Sequence, residues 1–291
     1  MLHIRNPAEW GVEQVKLAGR ALESLGQAAI FGRRNRRVRP AVRRIGPADL
    51  AAALARGLDD FSAFRTDVVF LCAVYPVAGL VLARLAFGYA LLPLLFPLAS
   101  GFALIGPAAA VGLNEMSRRR EQGGAAGWTA VLGIARAPSF AAIVALGLLL
   151  VAIFLLWLLA AAALYDATLG PEPPASLGAF LDAVLTTGPG WVLIAAGIGT
   201  GFLYAVLVLC ISVVSFPLLL DRDVRLDVAI ATSLRAVARN PDTMALWGMI
   251  VAAGLVLGSI PLFLGLVVVM PVLGHATWHL YRRTVAAPAE A

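Results

Sequence analysis

A chain of 291 residues that is 60% hydrophobic and only 14% charged, with a mean hydropathy of +0.87, lies outside the range of soluble domains, which run at roughly 45–50% apolar and about 25% charged. This excludes a soluble globular fold and points to a polytopic membrane protein. The formal net charge of +6 is no nucleic-acid footprint, because nearly all of it is arginine beside apolar runs, where arginine sets membrane orientation.

Residues 1–46 read as a basic leader. Asn6-Pro7 followed by Glu9 marks a helix start, and Val15, Ala18, Leu22 and Leu25 recur at helical spacing, which predicts a helix lying on the membrane surface. The run Arg33 to Arg44 is too charged and too proline-limited to pack, and reads as an arm held against anionic headgroups. No apolar signal-peptide core precedes residue 30, so Met1 is expected to begin the mature chain. Both cysteines, Cys72 and Cys210, sit in apolar runs without Cys-x-x-Cys spacing and are expected as buried thiols.

After Gly46-Pro47 comes a charged segment in which Leu50, Leu54, Leu58 and Phe61 share a helical face, with Arg56, Asp59 and Asp60 opposite. Two spans follow, about 67–87 and 89–114, the second kinked by Pro93, Pro97 and Pro107 and stopped by Arg118-Arg119-Arg120. A short helical face (Trp128, Val131, Leu132, Ala135) then ends at Arg136-Ala137-Pro138. A third span covers about 140–165, a loop at 166–190 carries three acidic residues and no arginine or lysine, and a fourth span covers about 191–220. The glycines 197, 199 and 201 in that fourth span are expected to admit a neighbouring helix; they lack the preceding strand and spacing of a dinucleotide fingerprint. A third charged segment with Ile230, Leu234 and Val237 on one face closes at Asn240-Pro241, and spans of about 243–260 and 262–281 follow.

With the leader in the cytoplasm, every one of the 23 basic residues except Arg84 falls in a cytoplasmic segment, which predicts six spans with both ends inside. The fold expected is an all-α membrane protein of six transmembrane helices, arranged as three parallel hairpins, each introduced by an amphipathic helix at the cytoplasmic interface. The membrane domain spans 47–285, with units 47–120, 125–223 and 224–285, before a tail of 286–291. Two recurrences support the units. Arg136-Ala137-Pro138 matches Arg239-Asn240-Pro241, and Pro107 and Pro271 each precede an arginine pair by eleven residues.

From about Val42 to Val285 the chain resembles a family of bacterial integral membrane proteins known only as a domain of unknown function. The residues that carry the likeness are Tyr75-Pro76, Gly79-Leu80 and Ala83-Arg84, then Pro217 to Arg222, Asn240-Pro241 with Leu246-Trp247, and Pro271 through Leu273-Gly274-His275-Ala276-Thr277-Trp278-His279 to Tyr281-Arg282. The resemblance implies a location in the bacterial cytoplasmic membrane and supplies no activity.

The candidate functional or partner-facing residues are His275, Trp278, His279, Asp221, Arg222, Asn240 and Pro241. His275 and His279 stand four residues apart on one helix face, a spacing that suits two ligands on one metal or haem; the competing reading packs His275 on a neighbouring helix and puts His279 among the headgroups. No cofactor is expected. Asp221, Arg222, Asp223 and Arg225 read as an ion-pair lock or a solvated helix entry. No charged residue falls near the middle of a span, and no nucleophile elbow, phosphate loop or zinc-protease motif occurs, which argues against an ion-coupled pump and against an enzyme. The expected role is a non-enzymatic bundle that binds a membrane partner as an assembly or organising factor, in contact with anionic lipid and not with nucleic acid. The alternative is a permease or lipid-handling protein with a cavity between the hairpins.

Overall fold

The computed structural model describes residues 40–64, 92–124, 127–261 and 263–287. The leader up to residue 39 and the expected first span lie outside them, as does Cys72. Regular structure among the described residues is helical, apart from an antiparallel bridge between Val42 and Val285.

Helix α1 (Pro47–Ala63) opens on a proline at its first position, with the Asp49 carboxylate accepting the Gly46 amide at 2.9 Å. Its face packed on protein is offset from the leucine stripe and shares Leu50 with it. Leu50, Ala53, Gly57 and Asp60 face inward, Asp60 is 4% exposed, and Leu58 is 52% exposed. The reason is that α1 packs antiparallel along a helix from the other end of the chain, α11 (Leu266–Thr284), the helix pair with the most extensive contact. A Cβ on Gly57 would stand 2.7 Å from the Ala276 nitrogen, so only a glycine lets the two backbones approach this closely.

Among the described residues, four helical stretches are long and apolar enough to cross a bilayer: Leu92–Glu121, Phe140–Thr168, Gly188–Asp221 and Pro241–Ser259. The first consists of a 3-10 turn at Leu92–Leu94 that contains Pro93, α2 (Leu95–Ala109) and α3 (Val111–Glu121), interrupted at Ala110 three residues beyond Pro107. After α4 (Trp128–Gly133) and a 3-10 turn at Ile134–Arg136, α5 (Phe140–Thr168) forms the second. The third is α7 (Gly188–Ser212) continued by α8 (Ser215–Asp221). At the break between them the Val214 amide donates to Ser233 Oγ of α9 (Leu226–Arg239), so the freed backbone group is satisfied by a side chain. Helix α10 (Pro241–Ser259) is the fourth. The sixth expected span coincides with α11, but two histidines and two arginines in its second half leave it outside this apolar set.

The long helices carry an outward apolar belt, including Leu155, Leu156 and Leu159 on α5, Phe202 and Leu203 on α7, and Val256 and Leu257 on α10. Such a surface suits hydrocarbon rather than water. Inside, the Trp157 indole donates to Ser100 Oγ at 2.9 Å, joining α5 to α2. Of the glycine run, Gly201 meets a neighbour, since a Cβ there would touch the Trp157 ring at 3.3 Å, while a Cβ on Gly197 or Gly199 would meet nothing within 4 Å among the described residues. The expected loop at 166–190 contains a further helix, α6 (Leu177–Thr186), capped by Ser176 Oγ and exposing Leu177, Leu181 and Leu185 along one stripe.

On α9 the face packed on protein is Leu226, Ala229, Thr232, Ser233 and Ala236, while Leu234, on the apolar face expected at the membrane interface, is 45% exposed. Small side chains bring α9 close to α7 and α8, Ile230 and Val237 pack partly buried against the core, and Leu234 is left outside.

Candidate functional site

The second half of α11 binds together the arginine-bearing ends of the other helices. Successive residues on a helix are about 100° apart, so polar side chains from His275 to Arg283 leave α11 at different angles and reach α1, α3 and α8. His275 Nδ1 lies 2.8 Å from Ser117 Oγ of α3. The Trp278 indole donates to Glu121 Oε2 of α3 at 2.8 Å, and His279 Nε2 lies 2.8 Å from Asp60 Oδ2 of α1. Tyr281 donates its hydroxyl to Asp221 Oδ2 of α8 at 2.6 Å, Arg282 pairs with Glu121 at 3.1 Å, and Arg283 pairs with Asp49 of α1 at 2.8 Å.

Asp60 is the centre of this network. Its Oδ2 accepts from Ser117 Oγ at 2.6 Å and from His279, and its Oδ1 accepts from Arg120. Burial pushes its pKa up, but the hydrogen bonds from His279, Ser117 and Arg120 and the charge on His279 outweigh burial and hold it down at about 2. The carboxylate is therefore ionised and accepts only. Ser117 then spends its proton on Asp60, and His275 Nδ1 must be the donor to Ser117 Oγ. That tautomer leaves His275 Nε2 a buried acceptor with no partner among the described residues. The order serine between histidine and acid is not that of a nucleophilic triad, where the histidine stands between the other two. Ser117, His275 and Asp60 are all buried, so the set acts as a clasp on three helices.

Asn240 and Pro241 do a related job at the junction of α9 and α10. Asn240 Oδ1 accepts the Ile45 amide at 2.9 Å, and its Nδ2 donates to the Arg43 carbonyl at 3.1 Å and to the Ala236 carbonyl at 3.0 Å. Pro241 starts α10, and Thr243 Oγ1 donates to the Ile45 carbonyl at 3.0 Å. The segment so pegged runs on to the bridge with Val285, where Arg43 N donates to the Thr284 carbonyl and Ala286 N to the Ala41 carbonyl. Asn240→Ala strands the Ile45 amide and the Arg43 carbonyl, and should destabilise the protein by about 1–3 kcal/mol in denaturant unfolding, the cost of unmade buried hydrogen bonds.

The sequence candidates Asp221 and Arg222 belong to the same assembly. Asp221 accepts from Tyr281 and lies 3.8 Å from Arg282, while Arg222 donates to the Ala286 carbonyl. Sequence reasoning missed Asp60, Ser117 and Glu121, which complete the network. A second polar feature adjoins it. A cavity of about 330 Å³ opens between the end of α3, the start of α5 and the end of α8, with Glu115, Arg118, Arg119, Arg136 and Arg222 in its wall. Arg118 and Arg119 both hold Glu115, at 2.6 and 2.8 Å.

His275 and His279 therefore spend a ring nitrogen each on Ser117 and Asp60, and no cluster of three or more metal-binding side chains occurs among the described residues. Residues 95–221 match the model of a family described as predicted integral membrane protein (DUF2189). The match contains α2 to α8 and ends before the run on α11. No curated protein and no solved structure matches the chain. The chain is an integral membrane protein with several apolar helices.

Proposed function

We propose that this protein is a non-enzymatic membrane scaffold of the bacterial cytoplasmic membrane. Its arginine-bearing face is cytoplasmic and receives a membrane partner, and α11 is the hub that keeps that face rigid. The observation that carries the reading is the use to which the unusual polar run on α11 is put: His275, Trp278, His279, Tyr281, Arg282 and Arg283 are each spent on another helix. A group committed to holding helices is poorly placed to move protons or bind substrate. A permease would call for a polar cavity at mid-membrane depth, whereas the cavity described above lies at the arginine end.

Orientation follows from the same asymmetry of charge. Helix α6 and its flanks carry acidic residues alone, while Arg118 to Arg120, Arg136, Arg222, Arg225, Arg235, Arg239, Arg282 and Arg283 gather at the opposite ends of the helices. Reporter fusions after Arg119 and Asp223 should report cytoplasm, and one at Glu172 the outside; a cytoplasmic signal at Glu172 would remove the six-span arrangement.

The scaffold role is tested by photo-crosslinking in native membranes. A photoreactive residue at the outward-facing Leu234 should give one discrete higher-mass adduct, while the same group at Leu257, in the apolar belt, should give lipid adducts only. Lipid adducts alone at both positions, together with substrate flux through proteoliposomes, would favour the permease.

A further inference from the structure

We propose that the cavity at the arginine end binds the phosphate of an anionic phospholipid. Its volume of about 330 Å³ lies at the lower end of the roughly 300–1,000 Å³ of small-molecule sites, enough for a headgroup phosphate and glycerol. Four guanidinium groups line it, from Arg118, Arg119, Arg136 and Arg222, against the carboxylates of Glu115, Asp221 and Asp223. The carboxylates are engaged in the protein: Glu115 holds Arg118 and Arg119, and Asp221 holds Tyr281 and lies beside Arg282 from outside the cavity. Asp223 likewise has an interaction within the protein. Arg136, in contrast, is exposed and has no partner among the described residues. The balance is thus one cation in excess, with that cation unspent, and guanidinium is the side chain suited to bidentate phosphate recognition.

Two further features favour a lipid over a free anion. The cavity wall includes Ala137, Pro138 and Ser139, where the 29-residue α5 begins, so the positive end of a membrane-crossing helix is turned toward it. Ser139 makes no cap bond with its own helix, which leaves its hydroxyl for another acceptor. Beside this polar pocket stand Leu132, 72% exposed, and Phe140, 40% exposed. Apolar groups flanking a cationic pocket at the end of three membrane-crossing stretches match an amphipathic ligand whose phosphate enters and whose acyl chains stay outside.

Gly133 supplies a geometric handle on the same wall. A Cβ there would come within 2.6 Å of Arg119 Nη2, so Gly133→Ala displaces one guanidinium without changing any charge. The clash is with the far end of a flexible side chain, which leaves the backbone undisturbed.

The test uses the full-length protein in mild neutral detergent. It is titrated with dioctanoyl phosphatidylglycerol, dioctanoyl phosphatidylcholine or inorganic phosphate, while thermal unfolding is followed and bound lipid is counted by native mass spectrometry. The site predicts a saturable rise in Tm and one retained lipid with phosphatidylglycerol, and neither with the other two. Arg136→Gln and Gly133→Ala should weaken phosphatidylglycerol binding about ten-fold or more, the scale of a lost charge-assisted contact, while Arg56→Gln, on the exposed face of α1, leaves it unchanged. Equal responses to the two lipids would overturn the proposal, as would wild-type binding by Arg136→Gln. A full response to inorganic phosphate would assign the cavity to a free anion and overturn the lipid assignment.

Discussion

Asp60→Ala should lower the unfolding free energy of the detergent-solubilised protein by about 3–5 kcal/mol, the usual cost of deleting one partner from a buried ionic network. The substitution does more than remove a carboxylate. It leaves Ser117 and Arg120 of α3 and His279 of α11 without the carboxylate that ties both helices to α1. Asp60→Asn keeps the shape and loses the charge, and should fall between wild type and alanine. The pH dependence has a defined sign. The folded pKa of about 2 lies below the ordinary 3.8, so the stabilisation is complete above about pH 4 and is lost as pH falls through 2. Linkage puts that loss on the order of 2 kcal/mol, and it should vanish in Asp60→Ala. A flat stability profile between pH 5 and pH 2 in wild type would refute the assignment of an ionised, clasped Asp60.

Gly57→Val should have an effect of similar size by a different route. The contact at Gly57 is with the backbone of α11, where a Cβ would meet both Ala276 N and the Val272 carbonyl at 2.7 Å. Backbone cannot rotate away as a side chain can, so α1 must lift off α11. Overpacking commonly costs about 1–3 kcal/mol, and this position should reach or exceed the upper figure because the Asp60 clasp is one turn away. Gly197→Val, where nothing among the described residues lies within 4 Å of the new side chain's Cβ, serves as the matched control and should shift Tm little. Protease sensitivity within α1 should rise in Gly57→Val and not in the control.

The parts of the fold legible in the sequence were those governed by the solvent. Apolar runs at 140–165, 191–220 and 243–260 became α5, α7 with α8, and α10, because length and hydropathy alone decide what can cross hydrocarbon. What periodicity did not reveal were the faces that pack on protein. On α1 and α9 the larger aliphatics Leu58 and Leu234 turn outward, while Gly57, Ser233 and Ala236 turn in. Next to a membrane, outward no longer means polar, so the usual correlation between apolar and buried fails. The candidate run on α11 was visible as an anomaly, polar residues where a span was expected. Its role was not visible, since Ser117 lies 158 residues from His275, and Asp60 lies 219 from His279. Nothing local in Asp60 distinguishes it from Asp59, which the structure leaves exposed.

The antiparallel pairing of α1 with α11 fixes an order of events during synthesis. Helix α1 emerges from the ribosome 219 residues ahead of the histidine that completes its clasp. Until His279 has also emerged, Asp60 has no imidazole and Gly57 no backbone to rest on, so α1 must wait at the membrane while the spans between them insert. The contact of α1 with α11 can form only after the intervening spans have been made. Nascent chains arrested before residue 275 should carry an α1 open to protease, and chains arrested far enough beyond residue 286 for that segment to clear the ribosome should carry a protected one. The exposure of α1 to protease therefore reports whether α11 has docked.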